Sequence, residues 1–289
     1  MAQTADRSIS DSASYEVMAV RYGTRSAARS DIFLHYHLYG EPDAPAQMDY
    51  FFWVLRGPES MILVDCGFSA ESGARRGRTM LCPPVEALRR LGIEPPEVSL
   101  LIATHGHYDH IGNLDAFGAA EVIMSGREYD FWTGPLATRA VFATSAETGD
   151  IDALRRVDAA GRLRLLRGPI GGLTAVVAPG VEVVEVGGHT PGQLIVIVRT
   201  TDGTAVLASD ALHYYEEMLL DRPFTHVTDL PAMFTGYELL RSLSRDGSHY
   251  LVAGHDPEVM QRFPPVEGTA LAVRIGPGPG VAVNGQVSR

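Results

Sequence analysis

The sequence contains little cysteine, no long apolar run and no excess of positive charge, and each absence excludes a class of protein. Its two cysteines, Cys66 and Cys82, cannot build the disulfide framework of a small secreted domain. No apolar stretch approaches the roughly 18 residues that span a bilayer. The N-terminus also lacks the basic and then apolar segments of a secretory signal. We therefore predict a cytoplasmic protein that does not engage a membrane.

The net charge is −11, from 24 basic and 35 acidic residues. Such a surface repels phosphate backbones on average, so nucleic acid is not an expected partner. Two clusters of basic residues, at positions 75–78 and 162–164, allow two interpretations. They are either solvated loop charges or a clamp for an anionic group on a substrate.

Length and composition predict one folded domain. A chain of 289 residues with 45% hydrophobic content can bury a sizeable core, and no repeat or Ser/Gly-rich linker divides it. Residues 1–14 are polar and are expected to form a flexible N-terminus. Residues 264–289, which contain Pro-Pro and alternating Gly and Pro, are expected to form an irregular C-terminal tail. The domain is therefore predicted to span residues 15–263.

Hydrophobic patterning indicates an α/β protein. Apolar or alternating runs predict strands at 15–21, 50–55, 61–64, 98–103, 122–124, 181–186, 194–199, 205–208 and 250–253. Helices are predicted at 85–91, 109–117, 126–132, 151–160 and 230–243. Strands and helices interleave along the chain, which favours a single layered domain.

The most informative segment follows the apolar run 98–103. It places His105, His107, Asp109 and His110 within six positions. Imidazole nitrogen and carboxylate oxygen suit zinc or a similar borderline cation. The His-x-His pair can converge on one ion while the following Asp-His pair faces a second. The alternative is a polar loop in which the histidines occur by chance.

Three later strand candidates end in the same kind of residue. His189 comes shortly after 181–186, Asp210 follows 204–209, and His255 comes shortly after 250–253. Each lies beside a glycine or another small residue, which lets the backbone turn sharply and lets a ligand side chain approach an ion. Four strand ends with such residues are hard to explain by core packing alone. We therefore predict a metal site.

Together these residues resemble the metallo-β-lactamase superfamily in its dinuclear hydrolase form. The string from His105 to His110, the three later ligands and the early Asp65-x-Gly67 carry the resemblance, which covers residues 15–263. It implies an αββα sandwich, in which two mixed β-sheets lie face to face with helices outside. The metal site would lie at one edge, between the sheets.

The resemblance also implies which residues hold the ions. It divides seven ligands into two groups that share one bridging carboxylate: His105, His107 and His189 for one ion, Asp109, His110 and His255 for the other, and Asp210 between them. Two divalent ions per chain are expected, zinc first and iron, manganese or cobalt as alternatives.

The expected chemistry is hydrolysis of an ester bond. A hydroxide that bridges two cations would attack a substrate carbonyl, because both cations stabilise the anion. Asp109 is a catalytic candidate because a carboxylate that binds an ion through one oxygen can relay a proton with the other. Asp210 is a second candidate, since its two oxygens can hold both ions at once.

The segment after the bridging aspartate most resembles N-acyl-homoserine lactonases, which open the lactone ring of acylated homoserine signals. In that family a tyrosine three residues beyond the bridging Asp commonly supports the substrate oxygens. Here that position is His213, and tyrosines follow at Tyr214 and Tyr215. His213 and Tyr214 are therefore catalytic candidates for contact with a small ester or lactone substrate.

Several alternatives remain at this stage. The same metals could serve a thioesterase, an amidase or a phosphotriester-cleaving enzyme, and an iron-dependent thiol oxygenase or a metal protein without turnover is a further possibility. Two ions per chain would favour hydrolysis, and one iron would favour oxygenation. A homodimer is a possible assembly. Aromatic density after the Asp-His turn predicts an acyl-chain pocket from Tyr129, Phe131, Trp132 and Phe142.

Overall fold

The computed structural model describes residues 13–169, 171–245 and 249–277. These residues contain thirteen strands: β1 (Glu16–Ala28), β2 (Pro45–Arg56), β3 (Met61–Val64), β4 (Thr79–Met80), β5 (Val98–Ile102), β6 (Glu121–Ser125), β7 (Leu163–Leu166), β8 (Thr174–Ala178), β9 (Val181–Glu185), β10 (Leu194–Thr200), β11 (Gly203–Ser209), β12 (His249–Ala253) and β13 (Ala272–Ile275).

The same residues contain ten α-helices, most of them short: α1 (Arg29–Ile32), α2 (Ala70–Arg75), α3 (Pro84–Arg90), α4 (Tyr108–Ile111), α5 (Gly126–Trp132), α6 (Ala140–Ala143), α7 (Thr148–Ala159), α8 (Tyr215–Leu220), α9 (Leu230–Ser244) and α10 (Val259–Arg262). Single turns of 3-10 helix lie at Tyr36–Tyr39, Pro95–Glu97, Leu114–Ala116 and Pro135–Thr138. No described helix combines the length and the apolar character that a bilayer span requires.

The strands form two mixed sheets. The first has the order β13-β1-β2-β3-β5-β6-β7, with β4 paired to β1, and its β3, β5, β6 and β7 run parallel to one another. The second has the order β12-β11-β10-β9-β8, and only β11 and β12 are parallel. β3 and β5 are parallel neighbours, and so are β11 and β12. The C-terminal ends of both strands in each pair therefore lie at the same edge of their sheet, and the chain leaves both strands there.

The core lies in two layers on either side of the first sheet. Phe51 and Trp53 of β2 belong to one cluster of buried residues, which also contains Val196 of β10 in the second sheet and Tyr237 of α9. Phe52, which points the other way, packs under the outer helices. This alternation follows the two-residue period of a strand. The layers are helix, sheet, sheet and helix, so the predicted αββα sandwich is confirmed.

The helix predicted at 109–117 is wrong beyond its first turn. α4 ends at Ile111, and a single 3-10 turn follows at Leu114–Ala116. Between them the Asn113 side-chain amide donates to the carbonyls of Cys66, Gly67 and Phe68. The amide thereby ties this segment to the residues that follow β3, and a continuous helix does not form.

The irregular tail predicted for 264–289 is also wrong over part of its length. β13 pairs antiparallel with β1, from Val17 opposite Ile275 to Val20 opposite Ala272. A four-residue edge strand between glycine- and proline-rich segments has little periodicity to detect. Residues 278–289 lie outside the described residues, and so do residues 1–12 of the predicted flexible N-terminus.

Asp150 in the first turn of α7 gives a testable dependence of stability on pH. Its Oδ2 is buried without a hydrogen-bond partner, and burial, followed by the charge of Glu147, raises the pKa of Asp150 to about 7. The folded chain therefore holds a proton that the unfolded chain releases between about pH 4 and pH 7, so stability falls as the pH rises through this window. A tenfold change in proton affinity is worth about 1.4 kcal/mol. We expect the change in the free energy of unfolding caused by Asp150→Asn to be more favourable at pH 8 than at pH 4, by about 1–2 kcal/mol.

Denaturant unfolding at the two pH values measures this difference. Asp152→Asn is the matched control, since Asp152 is an exposed neighbour in α7 that pairs with Arg155. An equal response of Asp150→Asn at both pH values would contradict the assignment.

Candidate metal centre

The predicted ligands lie on segments that leave strands at facing edges of the two sheets. His105 and His107 follow β5, and α4 carries Asp109 and His110 one turn further on. From the second sheet, the segments after β9, β11 and β12 supply His189, Asp210 and His255. All seven side chains are buried, and none is more than 8% exposed.

Glycines make two of these segments possible. Gly188, before His189, has a φ of 87°, and a Cβ there would lie 2.8 Å from the backbone nitrogen of Met233. Gly106, between the first two histidines, lies so close to the indole of Trp132 that a Cβ would overlap it. Any larger residue at either position would push a ligand segment away from its neighbour.

The side chains fall into two groups. In each, one ligand atom from every residue lies within 4.8 Å of the others: His105, His107, His189 and Asp210 in the first, and Asp109, His110 and His255 in the second. The family resemblance implies the same two sets of three, with Asp210 shared between them. The structure thus brings all seven predicted ligands together.

Asp210 lies between the two groups. Its Oδ2 is 3.3 Å from His189 Nε2 and 3.8 Å from His105 Nε2, and its Oδ1 is 3.2 Å from His110 Nε2 and 3.1 Å from His255 Nε2. Each carboxylate oxygen therefore faces a different group. This is the geometry that a carboxylate needs to bridge two ions.

The histidine nitrogens that face away from the centre have oxygen partners in the protein. The contacts at Nδ1 are 2.8 Å from His110 to Asp65 Oδ2, 2.8 Å from His189 to the His226 carbonyl, and 2.7 Å from His255 to the Asp49 carbonyl. A carbonyl oxygen can only accept, so Nδ1 carries the proton in His189 and His255. Their Nε2 atoms then keep a lone pair that points into the centre.

Several buried atoms at the centre have no hydrogen-bond partner. They are Nε2 of His105, His110 and His255, and Oδ1 of Asp210, whose contacts of 3.1 Å and 3.2 Å with two of these nitrogens do not have the angles of a hydrogen bond. A buried polar atom without a partner costs free energy unless something else satisfies it. Nitrogen and carboxylate donors that converge on one point fit a divalent cation such as zinc. The chemistry of these atoms therefore fits the expected pair of ions.

Burial keeps three of the histidines neutral. It lowers the pKa of His105, His107 and His189 well below the usual range, and for His105 the neighbouring His110 and His107 add to the effect. A neutral imidazole keeps the lone pair that a metal ligand requires.

The carboxylates act in the opposite sense. Burial alone would lower the pKa of His110, but the charges of Asp210, Asp65 and Asp109 outweigh burial and raise it well above the usual range. Burial likewise opposes ionisation of Asp210, but the surrounding histidines, led by His255 and His110, hold its pKa well below the usual range. Asp210 is therefore an anion at the middle of the cluster.

His213, one of the two residues predicted to contact substrate, lies against Asp210. Its Nε2 is 3.1 Å from Asp210 Oδ2, its Nδ1 is 3.2 Å from Glu217 Oε1, and its ring stacks on Phe224 at 3.8 Å between centroids. Burial opposes the charged form, but the carboxylates of Asp210 and Glu217 raise the pKa of His213 to about 9. Glu217 is itself held by the Tyr237 hydroxyl at 2.6 Å.

Tyr214, the other candidate for substrate contact, has a different environment. Its hydroxyl donates to the Gln47 carbonyl at 3.1 Å, and its ring packs against Phe33. A tyrosine in this arrangement is a packed residue whose polar end has a partner. Contact of Tyr214 with substrate stays a prediction, and in this structure His213 is the one that lies against the ligand cluster.

Glu128 of α5 is a residue that sequence reasoning missed. It is fully buried, and it accepts hydrogen bonds from the Gly106 and Gly192 backbone amides, at 3.0 Å and 2.9 Å, and from the Trp132 indole. Gly106 belongs to the first ligand segment, and Gly192 belongs to the segment after His189. One carboxylate thus joins the two segments. Its only signal in the sequence is an acidic residue four positions before a tryptophan.

Asp65 is noticed in the sequence as the end of an early strand, and the structure shows what it contacts. Its Oδ1 accepts from the Thr104 backbone amide at 2.8 Å, and its Oδ2 accepts from the Thr104 hydroxyl at 2.9 Å and lies 2.8 Å from His110 Nδ1. The residue has a φ of 62°, a left-handed conformation that aspartate tolerates better than most side chains. It fixes the orientation of one predicted ligand.

The predicted aromatic pocket begins beside the centre. The ring of Trp132 meets that of His107 edge to face at 5.2 Å, and Phe131 packs on both Trp132 and Phe142. The Tyr129 hydroxyl instead donates to exposed Asp158. An acyl-chain pocket in this region stays a prediction.

The two basic clusters have mostly local partners. Arg75 and Arg76 pair with Glu147, and Arg162 donates to the Phe117 and Ala120 carbonyls. Most of these charges are therefore used within the fold. Arg78 donates to the Tyr108 hydroxyl and the Arg76 carbonyl and pairs with no carboxylate of the described residues.

Comparisons with known proteins agree with this geometry. A family model described as the metallo-beta-lactamase superfamily matches residues 49–255. A metallo-beta-lactamase domain-containing protein 1 from Xenopus laevis is 32% identical over 127 residues, which are 44% of this chain and 42% of that protein. An N-acyl homoserine lactonase from a Bacillus species is 24% identical over 175 residues, which are 60% of this chain and 62% of that protein. The chain thus spans less than two thirds of either relative.

A similar fold occurs among solved structures. A quorum-quenching N-acyl homoserine lactone lactonase superposes with a TM-score of 0.71 over 86% of this chain and 95% of its own, at 21% identity. An identity this low is evidence for the fold alone.

Proposed function

Because the chain belongs to the metallo-beta-lactamase superfamily, we propose that it is a metal-dependent hydrolase of ester bonds. Its favoured substrate is the lactone ring of an N-acyl-homoserine lactone or a related ester. Lactonases among its relatives support this choice. Zinc is the metal that we propose, with iron, manganese or cobalt as alternatives.

The observation that carries the proposal is the position of Asp210. One of its oxygens faces the histidines of the first group and the other faces those of the second. A mononuclear site would need only one of these groups. Six buried ligands in two sets of three, with the Asp210 carboxylate between them, favour a pair of ions.

Divalent ions held there would supply Lewis acidity toward a substrate carbonyl and toward water. The protein's own part is to hold the ligands before substrate arrives. Asp65, His226 and Asp49 fix the far sides of three histidines. Glu128 joins two of the ligand segments. Such preorganisation removes a reorganisation cost during the reaction.

His213 is the proposed proton donor. Its Nε2 lies 3.1 Å from Asp210 Oδ2, and Asp210 and Glu217 favour its protonated form. A proton on this nitrogen can be donated to the alkoxide that leaves when the ester bond breaks. Asp109 lies beside the second group, with its Oδ1 and Oδ2 at 3.8 Å from His110 and His255 respectively. It is proposed to accept a proton at the carboxylate oxygen that does not bind an ion.

A panel of substrates tests the proposal. Purified, metal-analysed protein is assayed with a pH indicator against N-acyl-homoserine lactones, simple lactones, aryl esters, thioesters and amides. We expect lactones and esters to be hydrolysed with the highest kcat/KM. Cleavage of thioesters or amides with no lactone or ester activity would replace the proposal with a thioesterase or amidase. A single bound iron with consumption of oxygen would point to the thiol oxygenase.

A further inference from the structure

All 24 basic residues of this chain are arginines, and most of those described form ion pairs with carboxylates. Arg29 with Glu216 and Arg167 with Asp130 are examples. This is expected in a protein with a net charge of −11, where carboxylates outnumber guanidinium groups. Two arginines near the metal centre, Arg25 and Arg78, form no ion pair with any carboxylate of the described residues.

Arg25 lies on β1 at the face that leads to the centre. Its register partner on β2 is Met48, and Gly23 pairs with Tyr50. Paired residues on antiparallel strands project from the same face of a sheet, so Arg25 shares its face with Tyr50. The ring of Tyr50 meets the ring of His255, a proposed ligand, at 5.1 Å. The Nε of Arg25 is buried and has no hydrogen-bond partner.

Arg78 approaches the same tyrosine from the segment after α2. Its Cζ is 6.0 Å from the centre of the Tyr50 ring. Its Nε donates to the Tyr108 hydroxyl at 3.1 Å, and its Nη1 donates to the Arg76 carbonyl at 2.7 Å. Its Nη2 makes no hydrogen bond within the described part of the chain. Tyr108 lies between two proposed ligands in the sequence, so Arg78 contacts the first ligand segment through the Tyr108 hydroxyl.

The electrostatics of Tyr50 agree with the positions of both guanidinium groups. Burial and the charge of Asp109 raise the pKa of Tyr50 to about 12, and Arg78 and Arg25 oppose that rise. Arg25 also opposes the rise that burial causes in the pKa of Tyr214. The two positive charges therefore act on the same small region beside the second ligand group.

We propose that Arg25 and Arg78 bind an anionic oxygen group, a carboxylate or a phosphate, on the substrate whose ester bond lies at the metal centre. Guanidinium groups recognise such groups through paired N–H donors. A half-buried arginine without a carboxylate retains unused donors, which an anionic ligand would satisfy. This inference rests on the proposed ester hydrolysis and adds a substrate class to it. A neutral lactone would use the centre without filling this subsite.

Matched esters test the inference. Phenyl valerate is neutral, and the monophenyl ester of glutaric acid has an acyl chain of the same carbon number that ends in a carboxylate. A third ester, whose acyl chain ends in phosphate, distinguishes the two anions. We expect kcat/KM to favour an anionic ester about tenfold, through KM, and the preference to weaken in 0.5 M salt.

Substitution of both arginines supplies the structural half of the test. Arg25→Gln with Arg78→Gln should lower the ratio of anionic to neutral kcat/KM by about 10- to 100-fold, since each charge-assisted contact contributes up to about that factor. The pair Arg25→Lys and Arg78→Lys keeps the charge and should retain part of the preference. Arg274→Gln is the matched control, because Arg274 is an exposed arginine on the distant edge strand β13. It should leave the ratio unchanged.

Binding of glutarate to the metal-loaded protein, measured by isothermal titration calorimetry, separates this inference from the proposed function. Weaker binding in the double Gln variant supports the subsite even if no ester is hydrolysed, an outcome that would refute the proposed function alone. Equal hydrolysis of neutral and anionic esters by wild-type protein, or a preference that survives the double Gln substitution, would overturn the subsite and leave the hydrolase intact.

Discussion

Asp210→Ala is expected to reduce ester hydrolysis by at least about a hundredfold and to lower the metal content of the purified protein at the same time. Loss of an outer partner of a metal ligand typically costs 10- to 100-fold, and Asp210 contacts both ligand groups directly. Its removal also leaves several buried histidines without their anion. His107→Ala should produce the same paired loss, since His107 belongs to the first group.

Metal analysis and steady-state kinetics on the same preparation measure both losses. Asp202→Ala is the matched control, because Asp202 is an exposed aspartate just before β11, the strand whose other end leads to Asp210. It should keep full metal and full rate. An Asp210→Ala protein that keeps two ions and the wild-type rate would refute the bridge.

Glu128→Gln is expected to weaken metal binding by about 10- to 100-fold and to destabilise the fold by about 2–3 kcal/mol. The carboxylate accepts three N–H donors, from two glycine amides and the Trp132 indole. An amide in its place presents a donor where an acceptor is needed. The two ligand segments would then lose the group that joins them.

Metal affinity by chelator competition and stability by denaturant unfolding measure the two effects. Because Glu128 positions ligands, excess metal should restore much of the rate. Glu147→Gln is the control, since Glu147 also holds several donors, from Ser72, Arg75 and Arg76, but joins helices. It should lose stability and keep metal affinity. Wild-type metal affinity in Glu128→Gln would contradict the role of Glu128.

The sequence predicts the ligand set because each ligand follows an apolar strand. β3, β5, β9, β11 and β12 are recognisable from their hydrophobic residues, and strands of parallel pairs end at the same edge of a sheet. The spacing of the histidines and the aspartate between His105 and His110 is typical of a metal site and is hard to explain otherwise. Family resemblance then divides the ligands into two groups, and the structure brings the same two groups together.

The partners that hold the ligands could not be predicted in this way. Glu128 reaches Gly192 across 64 positions of sequence, and the His255 Nδ1 contacts the Asp49 carbonyl across 206. Such contacts leave no periodic signal, since they depend on how the two sheets face each other. The sequence does not predict β7 and β8, because their residues are half-buried or exposed and neither strand has a clear buried face.

The choice between His213 and Tyr214 needed the structure as well. Adjacent residues in a bend that leads into a helix point in different directions, and the sequence does not say which one faces the centre. His213 lies against Asp210, whereas the Tyr214 hydroxyl donates a hydrogen bond to the Gln47 carbonyl. Family resemblance places a tyrosine near this position, and under the proposed function the histidine found here would supply the proton instead.

The proposed hydrolysis depends on two ions in one buried cluster, and a metal titration tests this directly. Protein stripped by a chelator is reconstituted with zinc in steps, while bound metal and ester hydrolysis are measured on the same samples. We predict two ions per chain at saturation, with the full rate restored only as the second equivalent binds. Full activity with no metal, or with one equivalent and no binding of a second, would contradict it.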